Sequence, residues 1–210
     1  MVSIIVTFHN AERNIISCLQ SLIPQTAQQW ECVVIDNAST DESEYQVLAY
    51  LFDRRMRFIH LNEQIPVWEA RKLGLEMTKG EWVIFLDGND YLESNAIQAL
   101  YLAVKKYGTL CGVANFSVVR DGKKKFHTLL SECRLSSKEI SDGKVAVVTG
   151  NSIFSRKVAH QPETWHTLDY GFTSHSILIS GEQEEPLIKV EKKSFWKKLV
   201  GVMKWVKAKE

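Results

Sequence analysis

Gly80 to Ser94 reads GEWVIFLDGNDYLES. The apolar run from Trp82 to Leu86 has the character of a strand covered on both faces. It passes directly into four polar positions, Asp87-Gly88-Asn89-Asp90. Taken alone, this tetrad is a turn in which Asp90 caps a following helix. It is equally a set of oxygen ligands presented at a strand end, so the rest of the chain has to decide.

The same grammar recurs upstream. VSIIVTF (Val2–Phe8) is a short apolar run ending in His9-Asn10, and CVVID (Cys32–Asp36) ends in the polar stretch DNASTDES. Between them Asn10 is placed to cap a helix in which Ile15, Leu19 and Leu22, with Ile16 and Ile23, recur at helical spacing as far as Pro24. A helix is predicted through EYQVLAYLF (Glu44–Phe52), with Asp41 ahead of it as a cap. There follow a strand at Met56–Leu61, a helix across Val67–Lys79, a strand over Glu81–Asp87 and a helix from about Ser94 to Lys106, stopped by Gly108. This β-α rhythm predicts an α/β fold with a mainly parallel central sheet flanked by helices. Ligands of such sheets bind beyond the carboxyl ends of the strands. TFHN, DNAST and DGND all fall at such ends.

The second half is organised differently. Leu110–Leu130 has the pattern of a hairpin turning at Asp121-Gly122. Lys144–Lys157 (KVAVVTGNSIFSRK) predicts a strand, a polar turn and a helix start. Near the end, Phe195, Leu199, Val202 and Val206 fall on one helical stripe, widened by Trp196 and Met203, with Lys193, Lys197 and Lys204 opposite.

Bulk properties narrow the function classes. Of 26 basic and 25 acidic side chains, eight lysines and two glutamates lie between Lys189 and Glu210. That segment therefore carries +6 and leaves 18 bases and 23 acids, a net −5, on residues 1–188. A basic end on a mildly acidic body points to an anionic surface as partner. Cys18, Cys32, Cys111 and Cys133 are widely spaced without a CxxC pair, which argues against a metal or disulfide framework and for a reducing compartment. No apolar run reaches the ~18 residues of a membrane span, and MVSIIVTFHN lacks the basic leader of a secretory signal.

Three linked stretches, VSIIVTFHNAERNIISCLQSL, QTAQQWECVVIDNASTDES and ARKLGLEMTKGEWVIFLDGNDYL, resemble in order and spacing the family 2 glycosyltransferases with a GT-A, Rossmann-like fold. The resemblance is strong over residues 1–108 and weaker through TGNSIFSRK. It implies nucleotide-sugar binding in residues 1–108 and an acceptor-side half of the same domain in 109–188, while the periodicity and lysines above predict a basic amphipathic helix in 189–210. It places Thr7, His9 and Asn10 at the nucleotide, with His9 offering a stacking face where the family often has tyrosine; alternatively His9 is a solvated residue leading into the helix. Asp36 matches the family aspartate that accepts a hydrogen bond from uracil, or else closes an Asx-turn with Ser39 and Thr40. Arg71 matches an arginine facing the nucleotide pocket, where a guanidinium pairs with phosphate or a base carbonyl; otherwise it lies on a solvated helix face. Asp87 and Asn89 align with the Asp-x-Asp signature that handles the ribose and a divalent cation, Mg2+ or Mn2+. Asn89 replaces the second carboxylate and weakens any such metal, with Asp90 next door as compensation.

A second departure concerns the base of an inverting transfer. In TLDYGFTSHSILI, Phe172-Thr173 stands where the family has its acidic pair, leaving Asp169 as the candidate base, with His175 two residues beyond Thr173. The expectation is an inverting glycosyltransferase using a UDP-sugar and a glycan or lipid-linked glycan acceptor in cell-surface polysaccharide synthesis. It is expected in the cytoplasm, peripheral at the membrane through the C-terminal helix. Packing of that helix on the protein's own core, or in a homodimer, stays open, and no nucleic-acid partner is expected. The alternative is a nucleotide-binding pseudoenzyme or partner subunit of an active glycosyltransferase.

Overall fold

The structure, a computed structural model, describes residues 1–114, 116–120, 123–127 and 150–160. Strands β1 (Val2–Phe8), β2 (Trp30–Asp36), β3 (Met56–His60) and β4 (Trp82–Asp87) alternate with helices α1 (Ile15–Leu22), α2 (Ser43–Leu48) and α3 (Val67–Glu76). Helix α4 (Ala96–Tyr107) leads to β5 (Cys111–Val113), β6 (Phe116–Arg120) and β7 (Lys123–His127). β8 (Ser152–Ser155) and the single turn α5 (Arg156–Ala159) come last.

Six strands form one sheet in the order β3-β2-β1-β4-β8-β5. The first four are parallel, whereas β8 runs antiparallel to both β4 and β5. β1 is central and buried along its whole length, which explains why Val2–Phe8 is apolar without alternation. Strand alternation nevertheless sorts its side chains between two cores. Ile4, Val6, Val34 and Ile84 pack with Leu19, Val47, Ile97 and Leu100, so α1, α2 and α4 cover one face. Ile5, Val33, Ile35 and Phe85 pack with Ala70, Leu75 and Val158, so α3 and α5 cover the other. Burying each such side chain contributes roughly 1.5–3 kcal/mol.

Several sequence expectations need correction at element ends. α1 begins at Ile15, and Asn10 is not its cap: Asn10 lies at φ 51° and its side-chain oxygen accepts from the Thr40 N–H at 2.8 Å. α2 stops at Leu48 instead of running through Phe52, because turns carry Leu51–Arg55 down to β3 and Asp53 accepts from the Arg55 N–H at 3.0 Å. Asp41 does serve the α2 start, accepting from the Ser43 N–H at 3.0 Å and also from the Glu12 N–H at 3.1 Å. α3 ends at Glu76, where the Thr78 hydroxyl donates back to the Gly74 carbonyl at 3.0 Å. In the KVAVVTGNSIFSRK stretch a strand, β8, follows the polar turn at Gly150-Asn151 and leads into α5, while the strand expected ahead of the turn falls on residues 144–149, outside the described residues. The hairpin agrees with expectation, since β6 and β7 close on the pair Arg120 and Lys123 on either side of positions 121 and 122. The basic segment 189–210 lies outside the described residues. Among the described residues no helix is long and apolar enough to cross a membrane.

Candidate functional site

The carboxyl ends of β2, β1 and β4 lie side by side, which brings three distant polar stretches together. Thr7 is in register with Ile35 on one side and Asp87 on the other, and Phe8 is in register with Asp36. The loops beyond are tied across this edge. Gly88 N–H donates to the Thr7 carbonyl at 2.9 Å and Asn37 N–H to the Phe8 carbonyl at 2.8 Å. Asn10 N–H donates to Ser39 Oγ at 2.9 Å and Ala11 N–H to Ser43 Oγ at 2.8 Å. His9 is exposed, with its ring held by an Nδ1–H bond to the Asn37 carbonyl at 2.9 Å.

Within this edge the predicted residues separate by face. Thr7 and Asp87 follow Ile5 and Phe85 by two positions, so alternation turns them toward α3. Arg71 reaches the same place from α3, where Ala70, Gly74 and Leu75 are buried against the sheet. Its Nη2 donates to Asp87 Oδ1 at 2.9 Å. Arg71 is only 3% exposed, so it is not on a solvated helix face. Its Nε and Nη1 have no hydrogen-bond partner among the described residues, and neither does the buried Thr7 Oγ1. Buried polar atoms are nearly always paired, and leaving one unpaired costs on the order of 1–3 kcal/mol. A permanently charged guanidinium with two idle donors calls for a ligand bearing acceptor oxygens.

Asp36 lies on the opposite face. It continues the set Cys32 and Val34, which packs under α1 and α2. Its carboxylate is completely buried and already engaged, Oδ1 accepting from the Ser39 N–H at 2.8 Å and Oδ2 from His60 Nδ1 at 3.1 Å. The Asx-turn with Ser39 is therefore present. Glu44 Oε2 approaches the same His60 nitrogen at 3.5 Å, and Asp36, Glu44 and His60 each offer a ligand atom within 4.8 Å of the others. Among the described residues they are the only such trio of acidic, histidine or cysteine groups.

The residue that faces α3 after β2 is Asn37, which the sequence reading passed over. Its buried amide donates to the Ile65 carbonyl at 2.7 Å and accepts from the Ile65 N–H at 2.9 Å, which ties the β2 end to the approach to α3. The signal was available: Val33 and Ile35 point toward α3, and the next position of that parity is 37, not 36.

The loop after β4 presents Asp87, Asn89 and Asp90 together. Asp87, 41% exposed, is compensated by Arg71, and Asn89 Oδ1 accepts from Asn14 Nδ2 at 3.0 Å. Asp90 closes the turn through its N–H to the Asp87 carbonyl at 2.9 Å. A hard divalent cation is held by one or two carboxylates together with substrate phosphates; here Asp87 is paired with Arg71, Asn89 Oδ1 accepts one bond, and the half-buried Asp90 follows. Beneath the loop, burial first and then neighbouring charges, Asp90 and Asp87 included, push the Cys18 thiol up. Burial does the same for Cys111 and is the main cause for Cys32, so none of the three is a nucleophile or ligand.

On the far side of β4, Gly150 N–H donates to the Phe85 carbonyl at 2.6 Å and Asn151 Nδ2 to the Ala114 carbonyl at 3.0 Å. The GNS turn thus borders the carboxyl half of β4. Asp169, Phe172-Thr173 and His175 lie outside the described residues.

Comparison with known proteins agrees with this geometry. The profile of the family described as glycosyl transferase family 2 matches residues 3–161. The chain is 26% identical over 117 residues to glycosyltransferase GlyG of Streptococcus pneumoniae, covering 55% of this chain and 39% of that protein. It is 36% identical over 97 residues to a teichoic acid poly(glycerol phosphate) polymerase of Staphylococcus epidermidis, covering 45% of this chain and 14% of the polymerase. The chain thus spans less than half the length of these curated relatives. The crystal structure of S. aureus TarS 1-349 in complex with UDP superposes with a TM-score of 0.67 at 19% identity, over 87% of this chain and 58% of that one. That likeness establishes a common GT-A fold.

Proposed function

Because the chain belongs to glycosyl transferase family 2, we propose that it moves a sugar from a nucleoside diphosphate donor, a UDP-sugar, to a glycan or lipid-linked glycan acceptor in the synthesis of a cell-surface polymer. The observation that carries this reading is the set of unpartnered buried donors, Arg71 Nε and Nη1 with Thr7 Oγ1, beside Asp87. UDP presents carbonyl, hydroxyl and phosphate oxygens of the kind these donors lack. The UDP-bound TarS neighbour and the teichoic-acid polymerase support the donor and polymer class.

In this reading Thr7, Asn37 and Arg71 frame the nucleoside, His9 covers it, and Asp87 accepts from the ribose while holding Arg71. The acceptor hydroxyl attacks the anomeric carbon as the bond to the diphosphate oxygen breaks, with inversion. The electron pair leaves with the diphosphate, and a carboxylate takes the hydroxyl proton. Asp169 is the proton acceptor to be tested. Holding donor and acceptor in line supplies much of the acceleration. The lysine excess of Lys189–Glu210 supports attachment to an anionic membrane surface, checked by vesicle co-sedimentation with and without that segment.

The test is calorimetric titration of UDP, GDP and dTDP, followed by a transfer assay on lipid-linked and glycan acceptors. UDP binding with release of UDP from the donor sugar is expected. Failure of all three nucleotides to bind overturns the reading. A second reading, a nucleotide-binding subunit without turnover, is favoured by Asn89 in a position the family gives to a carboxylate, and binding without transfer selects it.

A further inference from the structure

In the loop beyond Asp87, the exposed Asn89 is held by a residue that neither the motifs nor the comparisons single out. Asn14, just ahead of α1, donates its Nδ2 to Asn89 Oδ1 at 3.0 Å across 75 residues of sequence. This contact sets the chemistry of the loop. With Oδ1 turned to Asn14, the Nδ2 of Asn89 supplies a pair of hydrogen-bond donors for a ligand. A donor at this position suits an anion and is the wrong polarity for a cation. Of the two carboxylates in this loop, Asp87 is paired with Arg71 at 2.9 Å, and Asp90, the residue after Asn89, is half-buried.

Burial assigns the parts of the ligand. The unpartnered Arg71 and Thr7 atoms are buried and suit the uncharged nucleoside, whereas the exposed loop suits the diphosphate, whose charge stays near solvent. Resting on the donor-site reading above, we infer that Asn89, positioned by Asn14, donates a hydrogen bond to the donor's diphosphate, and that this chain binds a nucleoside diphosphate without a bridging divalent cation. Asn89 is then a binding residue and Asn14 a positioning residue.

The experiment is calorimetric titration of the whole chain with UDP and with uridine, each in EDTA and in Mn2+. Wild type, Asn89→Ala, Asn89→Asp and Asn14→Ala are compared. The wild-type affinity for UDP is expected to agree within about twofold between the two conditions. Asn89→Ala weakens UDP by about tenfold, the scale of one hydrogen bond to a charged group, and leaves uridine unchanged. Asn14→Ala lowers the UDP-to-uridine ratio several-fold. Asn89→Asp keeps the bond from Asn14 but reverses the polarity, so UDP binding in EDTA falls by tenfold or more and Mn2+ restores it. A tenfold or larger gain on adding Mn2+ to wild type overturns the inference alone. So does an equal loss of UDP and uridine in Asn89→Ala, which marks a merely structural role. If wild type binds UDP in neither condition, the donor-site reading itself falls, and this inference with it.

Discussion

Arg71 is where burial and chemistry disagree most. A guanidinium that is 3% exposed, with one carboxylate partner and two idle nitrogens, returns little stability for the desolvation it suffers. On the proposed donor-site reading, ligand binding is the term that keeps it there. Replacing it by an apolar side chain of similar length separates the two contributions. Arg71→Met is expected to change the unfolding free energy by less than about 1 kcal/mol, because the partner Asp87 is itself accessible to water. Its affinity for UDP should fall at least tenfold. Urea unfolding and calorimetry read the two quantities. A loss of several kcal/mol with UDP affinity intact makes Arg71 a structural residue. Asp36 is the converse case: its completely buried carboxylate accepts from Ser39 N–H and from His60 Nδ1.

Two glycines test the elements that carry these residues. α3 lies so close to β1 that a Cβ on Gly74 meets the side chain of Ile5 inside contact distance, with Ile35 Cδ1 at 3.0 Å. Gly74→Ala is therefore expected to destabilise by roughly 1–3 kcal/mol, as overpacking does. It should weaken UDP binding too, since Arg71 sits one turn earlier on the displaced helix. Unchanged binding in a destabilised variant shows that the Arg71 position tolerates movement of α3. Gly108 is the control. It ends α4 at φ 59° with nothing within 4 Å of an added Cβ. Gly108→Ala should cost about 1 kcal/mol from backbone strain alone and leave UDP affinity as it was. Thermal unfolding and calorimetry again check both halves.

At the scale of the molecule, the amino ends of the strands are fastened by charge, far from the site at their carboxyl ends. Glu31 accepts from Ser3 Oγ at 2.9 Å, from Lys79 N–H at 2.6 Å and from Gly80 N–H at 3.0 Å, and pairs with Arg57 at 2.7 Å. Partial burial pushes its carboxyl up, but the hydrogen bonds from Lys79, Ser3 and Gly80 and the Arg57 charge outweigh that and hold it below the ordinary glutamate value. Asp53 is held low as well, chiefly by its bond from Arg55. Both groups release their protons more readily folded than unfolded. Their stabilisation is thus present above the unfolded values, roughly 4, and is lost as pH falls through the folded ones. The denaturation midpoint should stay level from about pH 7 to about pH 5 and drop below about pH 4, and Glu31→Gln should shrink that drop. A midpoint that holds steady into acid removes Glu31 from the account. Arg156 reinforces the same end, donating to the Gly80 and Leu75 carbonyls and to the Ser3 and Thr78 hydroxyls.

Most of the architecture was legible before any coordinates. Continuous apolar runs at Val2–Phe8, Cys32–Asp36 and Trp82–Leu86, separated by helically spaced apolar residues, specify parallel strands with helices between them. Parallel connectivity then forces TFHN, DNAST and DGND to a common edge. These are local patterns, and hydrophobic periodicity acts locally. Element ends were less legible, because Asn10 and Thr78 turn their side chains to partners chosen by packing. The polarity of the site was not legible at all. Arg71 with Asp87, Asn14 with Asn89, and Asp36 with His60 are pairings across 16, 75 and 24 residues. Which groups meet, and on which face of the sheet, follows from strand order and pleat parity. A motif records residue types in a row, whereas the charge left over for a ligand is a property of what surrounds them once the chain has closed.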